Sequence, residues 1–230
     1  MRRVPALGVA SLGCAIVTSL AMMVLTGAAA GKHAEDGFEV GSFSHGTLAG
    51  WVRRSFKGET EYQLVADPEL GATVLAATAD GSASGRFRKI RVDLTKTRYL
   101  NWSWKVTNIF PGIDETQKAG DDFAARLYVV VERGLMGTAS LALNYVWSSH
   151  HPVEQWWASP YSSQVILLAA NSGSDRLGTW VRHTRDLRSD LRLVFGEEIA
   201  AIDAVAVMTD TDNTLGKARA YYGDIWFSAQ

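Results

Sequence analysis

The stretch YLNWSWKV, Tyr99 to Val106, alternates without a break. In an extended chain Leu100, Trp102, Trp104 and Val106 share one face, and Tyr99, Asn101, Ser103 and Lys105 share the other. That period is the mark of a strand with one buried side. Two tryptophans among aliphatic residues belong to a core. In FAARLYVVV the apolar face is Phe123, Ala125, Leu127, Val129 and Val131, opposite Asp122, Ala124, Arg126, Tyr128 and Val130. In AYYGDIWF, Tyr221, Ile225 and Phe227 point inward, and Tyr222, Asp224 and Trp226 outward.

Outward from these runs, the chain is a series of short β-rich segments separated by Gly, Asn, Asp and Ser. Strands are expected at Tyr62–Ala66, Ala72–Ala79, Gly85–Val92, Tyr99–Val106, Phe123–Glu132, Ser140–Trp147, Gln164–Ala170, Val181–Asp186, Ile202–Thr209 and Ala220–Phe227. One helix is expected over Arg188–Phe195, stopped by Gly196. Many short strands in a chain of this size predict an all-β fold, a two-sheet jelly-roll β-sandwich with a short helix.

The first 30 residues stand apart. Two arginines precede a long uncharged apolar stretch that ends in Ala28-Ala29-Ala30, the layout of a secretory signal cut after Ala30. The alternative is an uncleaved anchor. Residues 31–37 read as a flexible polar tail and 38–230 as a single sandwich domain. Cys14, the one cysteine, leaves with the signal, and Ser11 three residues before it argues against lipidation. The mature chain then has neither disulfide nor thiol chemistry. It holds together by packing, in the periplasm or outside the cell. A formal charge of −1 for the whole chain gives no support to nucleic-acid binding. No basic amphipathic helix suggests membrane insertion after signal cleavage.

Several chemistries are excluded. Ala83 stands where a nucleophile elbow in GSASG needs serine. No phosphate-cradling glycine motif occurs. His150 and His151 are adjacent and would point apart in a strand. DTDNTLG places its glycine one position late for an EF-hand loop.

Three clusters remain. DETQKAGDDFAAR holds Asp122 and Arg126 at matching parity, able to pair, with Tyr128 next on that face. MTDTDNT follows an apolar strand and presents Asp210, Asp212 and Asn213. If the chain stays extended, the two aspartates point the same way, about 6.5–7 Å apart. That spacing suits a hard cation or an acid/base pair, and an Asx-turn network would equally account for it. Ala204 and Ala206 on the Asp210 side are small and leave room for Arg126. The third cluster is aromatic, YVWSSHHPVEQWWASPY, with Trp147, Trp156, Trp157 and Tyr161 on a polar loop, the composition of a sugar-stacking platform.

The segments GWVRRSFKGETEYQLV, SASGRFRKIRVDL, DETQKAGDDFAARLYVV, VAVMTDTDNT and AYYGDIWF resemble the bacterial secreted family called domain of unknown function 3047 over roughly Phe38 to Phe227. The resemblance implies a sandwich similar to galactose-binding-like and carbohydrate-binding modules. Such modules open with a Phe-Glu strand and close with an Asp-Ile strand, here Phe38-Glu39 and Asp224-Ile225. By similarity, Glu39 and Asp224 would help hold a structural calcium.

The expectation is a non-catalytic binding domain for a carbohydrate or another polyhydroxylated cell-envelope ligand. Its candidate ligand-binding residues are Asp122, Arg126, Tyr128, Trp147, Trp156, Trp157, Asp210, Asp212 and Asn213. The first alternative is an envelope glycan hydrolase or lyase with Asp210 and Asp212 as acid and base. The second is a structural or partner-binding domain of an envelope assembly.

Overall fold

The computed structural model describes residues 33–34, 37–134 and 139–230. The expected signal segment, its cleavage site and the anchor alternative lie outside them. Among the described residues, fifteen strands form two sheets. The first sheet contains β1 (His33–Ala34), β2 (Gly37–Gly41), β4 (Glu61–Asp67), β5 (Ala72–Asp80), β7 (Tyr99–Val106), β12 (Val181–Asp186), β14 (Lys217–Tyr222) and β15 (Ile225–Ser228). The second runs β10 (Trp156–Ser159), β11 (Ser162–Ser172), β9 (Leu141–Ser148), β8 (Arg126–Val131), β13 (Ala201–Asp210), β6 (Ala83–Asp93), β3 (Val52–Lys57). All pairs in it are antiparallel except β9 and β11. The chain crosses repeatedly between sheets, and the two-sheet sandwich predicted from the alternation is what forms.

The core between the sheets takes Leu100, Trp102, Trp104 and Val106 from β7, and Leu127, Val129 and Val131 from β8. Leu143, Tyr145 and Trp147 of β9 and Val205 and Val207 of β13 complete its centre. The helix α1, Leu187–Phe195, adds Leu187 and Leu191 to this core. Asp186 caps it by accepting from the Ser189 N–H, and Gly196 ends it in the left-handed conformation. Among the described residues, no helix is long and apolar enough to cross a membrane.

Some expectations need correction. β8 starts at Arg126, not Phe123. The preceding residues are not extended strand, so parity fails there. Phe123 packs outside the sheet with Val146, Trp157, Leu167 and Ala169 rather than between the sheets. The last expected strand is two strands, broken at Gly223-Asp224. Gly223 lies so close to β7 that a Cβ there would meet Ser103 Oγ at 2.2 Å. The break shifts the alternation, so Tyr222 is the buried residue and Tyr221 meets Lys105 and Arg219 outside. Within the stretch expected as tail, His33 and Ala34 pair with Phe38 and Gly37, so that part is sheet.

Candidate functional site

The outer face of the second sheet, turned away from the core, is also buried at its centre. Arg126 is 3% exposed, Tyr128 1% and Asp210 2%. Ala204, Ala206 and Met208 line this face of β13, and the small alanines leave the room that larger side chains on β8 fill. Arg126 Nε donates to Asp210 Oδ1 at 2.7 Å and Nη2 to Asp210 Oδ2 at 2.5 Å. This is a two-pronged, charge-assisted pair. Nη2 also donates to the Asp121 carbonyl and lies 3.5 Å from Asp121 Oδ2. The guanidinium sits 4.3 Å over the Phe123 ring. Burial alone would lower its pKa, but Asp121 and Asp210 outweigh that and hold it raised.

Asp122 is therefore not the partner of Arg126. Its oxygens accept from Asn213 N and Nδ2, both at 3.2 Å, and from Thr214 N at 2.6 Å. It braces the turn that follows β13. The aspartates arrive here because a 3-10 turn, Lys118–Gly120, docks on the Asp114 backbone. A Cβ on Gly120 would meet the Asp114 carbonyl at 2.3 Å, so only glycine permits that approach.

MTDTDNT divides by direction. Thr209 and Thr211 are fully buried and tie the strand inward, Thr209 Oγ1 to the Ala124 carbonyl at 2.8 Å and Thr211 Oγ1 to Ser82 N at 3.2 Å. Asp210, Asp212 and Asn213 face a pocket with Phe56, Ala83, Asp121, Arg126, Tyr128, Tyr161 and Met208. It encloses about 40 Å³. The chain turns after Asp210 instead of staying extended. One oxygen each of Asp122, Asp210 and Asp212 consequently lies within 4.8 Å of the others. Burial first, then Asp122 and Asp212, drive Asp121 upward against the pull of Arg126, to about 6. Burial and Asp122 push Asp212 upward too. Tyr161 Oη donates to Asn213 Oδ1 at 2.8 Å and so joins the aromatic loop to the aspartates.

The three tryptophans do not make one platform. Trp147 is 1% exposed and sits in the inter-sheet core, 6.3 Å from the Trp104 ring, because it shares parity with Leu143 and Tyr145. Trp156 and Trp157 are neighbours on edge strand β10, so they point to opposite faces. Trp157 packs on Phe123 and His151, and its Nε1 donates to the Glu115 carbonyl. Trp156 alone is open, at 44%.

Glu39 and Asp224 face a second cleft with Gly37, Gly41, Ile225 and Trp226, about 270 Å³. Asp224 accepts from the Ser44 N–H at 2.8 Å and from its hydroxyl, and Glu39 Oε2 accepts from Ser42 Oγ at 2.9 Å. Asp121 and Phe56 also line the first pocket, and neither carries a local sequence signal for it. Asp121 has the opposite parity to Asp122 and Arg126 in an extended chain, and Phe56 lies on β3, whose three basic residues mask its alternation.

Residues 49–226 match a single family, protein of unknown function DUF3047. The chain belongs to that family. A search of the curated proteins gives no match. Among solved structures, this DUF3047 chain is similar to the family 11 carbohydrate-binding module of a cellulosomal cellulase of Clostridium thermocellum, at 10% identity and a TM-score of 0.46, covering 84% of this chain and 95% of that one. It is also similar to the enzymatically active domain of tailspike protein 4 of bacteriophage CBA120, at 9% identity and a TM-score of 0.42, covering 83% of this chain and 21% of that one.

Proposed function

We propose that this member of DUF3047 is a non-catalytic carbohydrate-binding domain of the periplasm or extracellular space, with its ligand site at the Asp210 end of β13. The observation that carries the reading is the lining of one pocket. It joins hydroxyl acceptors on Asp121 and Asp212, held in place by Arg126 and Asn213, to the aromatic surfaces of Phe56 and Tyr161. Sugars need this mixture, since their ring faces are apolar and their rims form hydrogen bonds. Acid/base use of Asp210 and Asp212 is disfavoured. Arg126 engages both Asp210 oxygens.

The test is oligosaccharide binding by the wild type, Tyr161→Ala and Asp212→Asn. Both positions are part-exposed, so both variants should fold with unchanged melting temperature and bind at least about tenfold more weakly. Full binding by both variants would move the ligand elsewhere.

A structural calcium between Glu39 and Asp224 is also proposed. Two carboxylates oriented by serines into one cleft fit a hard cation that completes its shell with backbone carbonyls and water. A chelator should lower the melting temperature and calcium restore it, since the ion binds only the folded chain. A melting curve unmoved by chelator would remove the ion from this cleft.

A further inference from the structure

The acceptors at the base of the Asp210 pocket are unequally satisfied. Asp122 is met by the N–H groups of Asn213 and Thr214, and Asp210 by Arg126 and the Phe123 N–H. Asp121 Oδ1 has no hydrogen-bond partner, although the residue is 7% exposed. The carboxylate of part-exposed Asp212 meets Asn213 Nδ2 at 3.4 Å, a weak contact. Both unmet groups line the pocket.

Charge separates the ligand classes that could meet them. Asp121, Asp122 and Asp210 are at least nine-tenths buried and face one buried cation, Arg126. Lys57 and Lys118 are solvent-exposed. The first spends its ammonium on the Asp212 backbone carbonyl at 2.7 Å, and the second lies 5.2 Å over the Tyr161 ring. The dry part of the site is thus short of positive charge, and neutral hydroxyls would satisfy its acceptors without correcting that.

We propose that the base of the pocket takes a primary ammonium group, so that the preferred ligand is a glycan bearing a free amino sugar; this rests on the carbohydrate reading above. A metal ion is the poorer occupant. Asp210 is already engaged by Arg126, and Asp122 by the Asn213 and Thr214 N–H groups; beside the carboxylates the walls are Phe56, Ala83, Tyr128, Tyr161 and Met208 with Arg126 and Asn213. Aromatic faces beside carboxylates suit an organic ammonium. The pocket's 40 Å³ holds an amine and about one or two waters.

The experiment is calorimetric titration near neutral pH with tetraglucosamine, its fully N-acetylated counterpart, cellotetraose, trilysine and calcium chloride. Tetraglucosamine should bind about tenfold or more tighter than either neutral sugar. Asp212→Asn and Asp121→Asn should each weaken tetraglucosamine binding by about tenfold more than they weaken cellotetraose binding, closing the gap between charged and neutral sugars. Equal affinity for the charged and neutral sugars would overturn the ammonium inference and leave the carbohydrate reading standing. Binding of no sugar would overturn both. Trilysine binding as tightly as tetraglucosamine, or calcium binding that Asp212→Asn abolishes, would assign the carboxylates to a peptide or a metal instead.

Discussion

The two faces of the second sheet are equally dry at their centre and chemically opposite. On the inner face β8 and β13 contribute Leu127, Val129, Val131, Val205 and Val207. On the outer face the same strands contribute Arg126, Tyr128, Val130, Ala204, Ala206, Met208 and Asp210. Alternation distinguishes the faces but does not show that both are buried. The outer face is a second packed layer with a charged network inside it, and the pocket opens where that network ends. Stability on the inner face comes from area removed from water. On the outer face it depends on whether each buried charge has a partner.

The largest test of that contrast is Arg126→Met. It strands Asp210 in a dry site, and urea denaturation should show a loss of about 3–5 kcal/mol. The double change Arg126→Met with Asp210→Leu should recover most of it, because no charge is then left unpaired. A double variant no more stable than the single one would mean the face depends on the pair itself, and the contrast drawn above would fail.

Next is Asp121, where the sign follows from its raised pKa. The carboxyl titrates near 6 in the fold against 3.8 ordinarily. The folded chain therefore holds the extra proton between those values. Its stabilising contribution is complete below about 3.8 and is lost as pH rises through about 6. The full difference is on the order of 3 kcal/mol. Asp121→Asn should accordingly melt higher than the wild type at pH 8, with the gap closing toward pH 4. A gap independent of pH would show that burial does not govern this carboxyl.

The sandwich was legible because its strands alternate. β7 and β12 have the predicted ends. β3 and β10 escaped, one being basic and largely exposed, the other four residues long with two adjacent tryptophans. Trp147 was readable as core from Tyr145 and Leu143, two and four residues earlier, yet its aromatic neighbours in sequence suggested a platform. The match of Arg126 to Asp210 was visible in the small alanines of β13. The exchange of Asp122 for Asp121 beside Arg126 was not, because it depends on where β8 begins. That start is set by the docking of Gly120 on Asp114, which no local pattern encodes.

The smallest effect belongs to Asn144, which sharpens the comparison at a single position. It is fully buried on the outer face of β9, paired across to Tyr128, and both atoms of its amide lack a hydrogen-bond partner. Its inner-face neighbours, Leu143 and Tyr145, carry no such debt: Tyr145 Oη donates to Asp190 at 2.6 Å. A buried amide without partners costs about 1–3 kcal/mol. Leucine has a similar shape and nothing to satisfy. Asn144→Leu should thus raise stability by about 1–2 kcal/mol, with the pocket and its ligand affinity unchanged, since Asn144 lies outside the lining. A stability gain together with lost sugar binding would extend the site along β9 to the amide. A stability loss would mean that ordered water already meets the amide, and that the outer face is wetter at its centre than the contrast between the two faces requires.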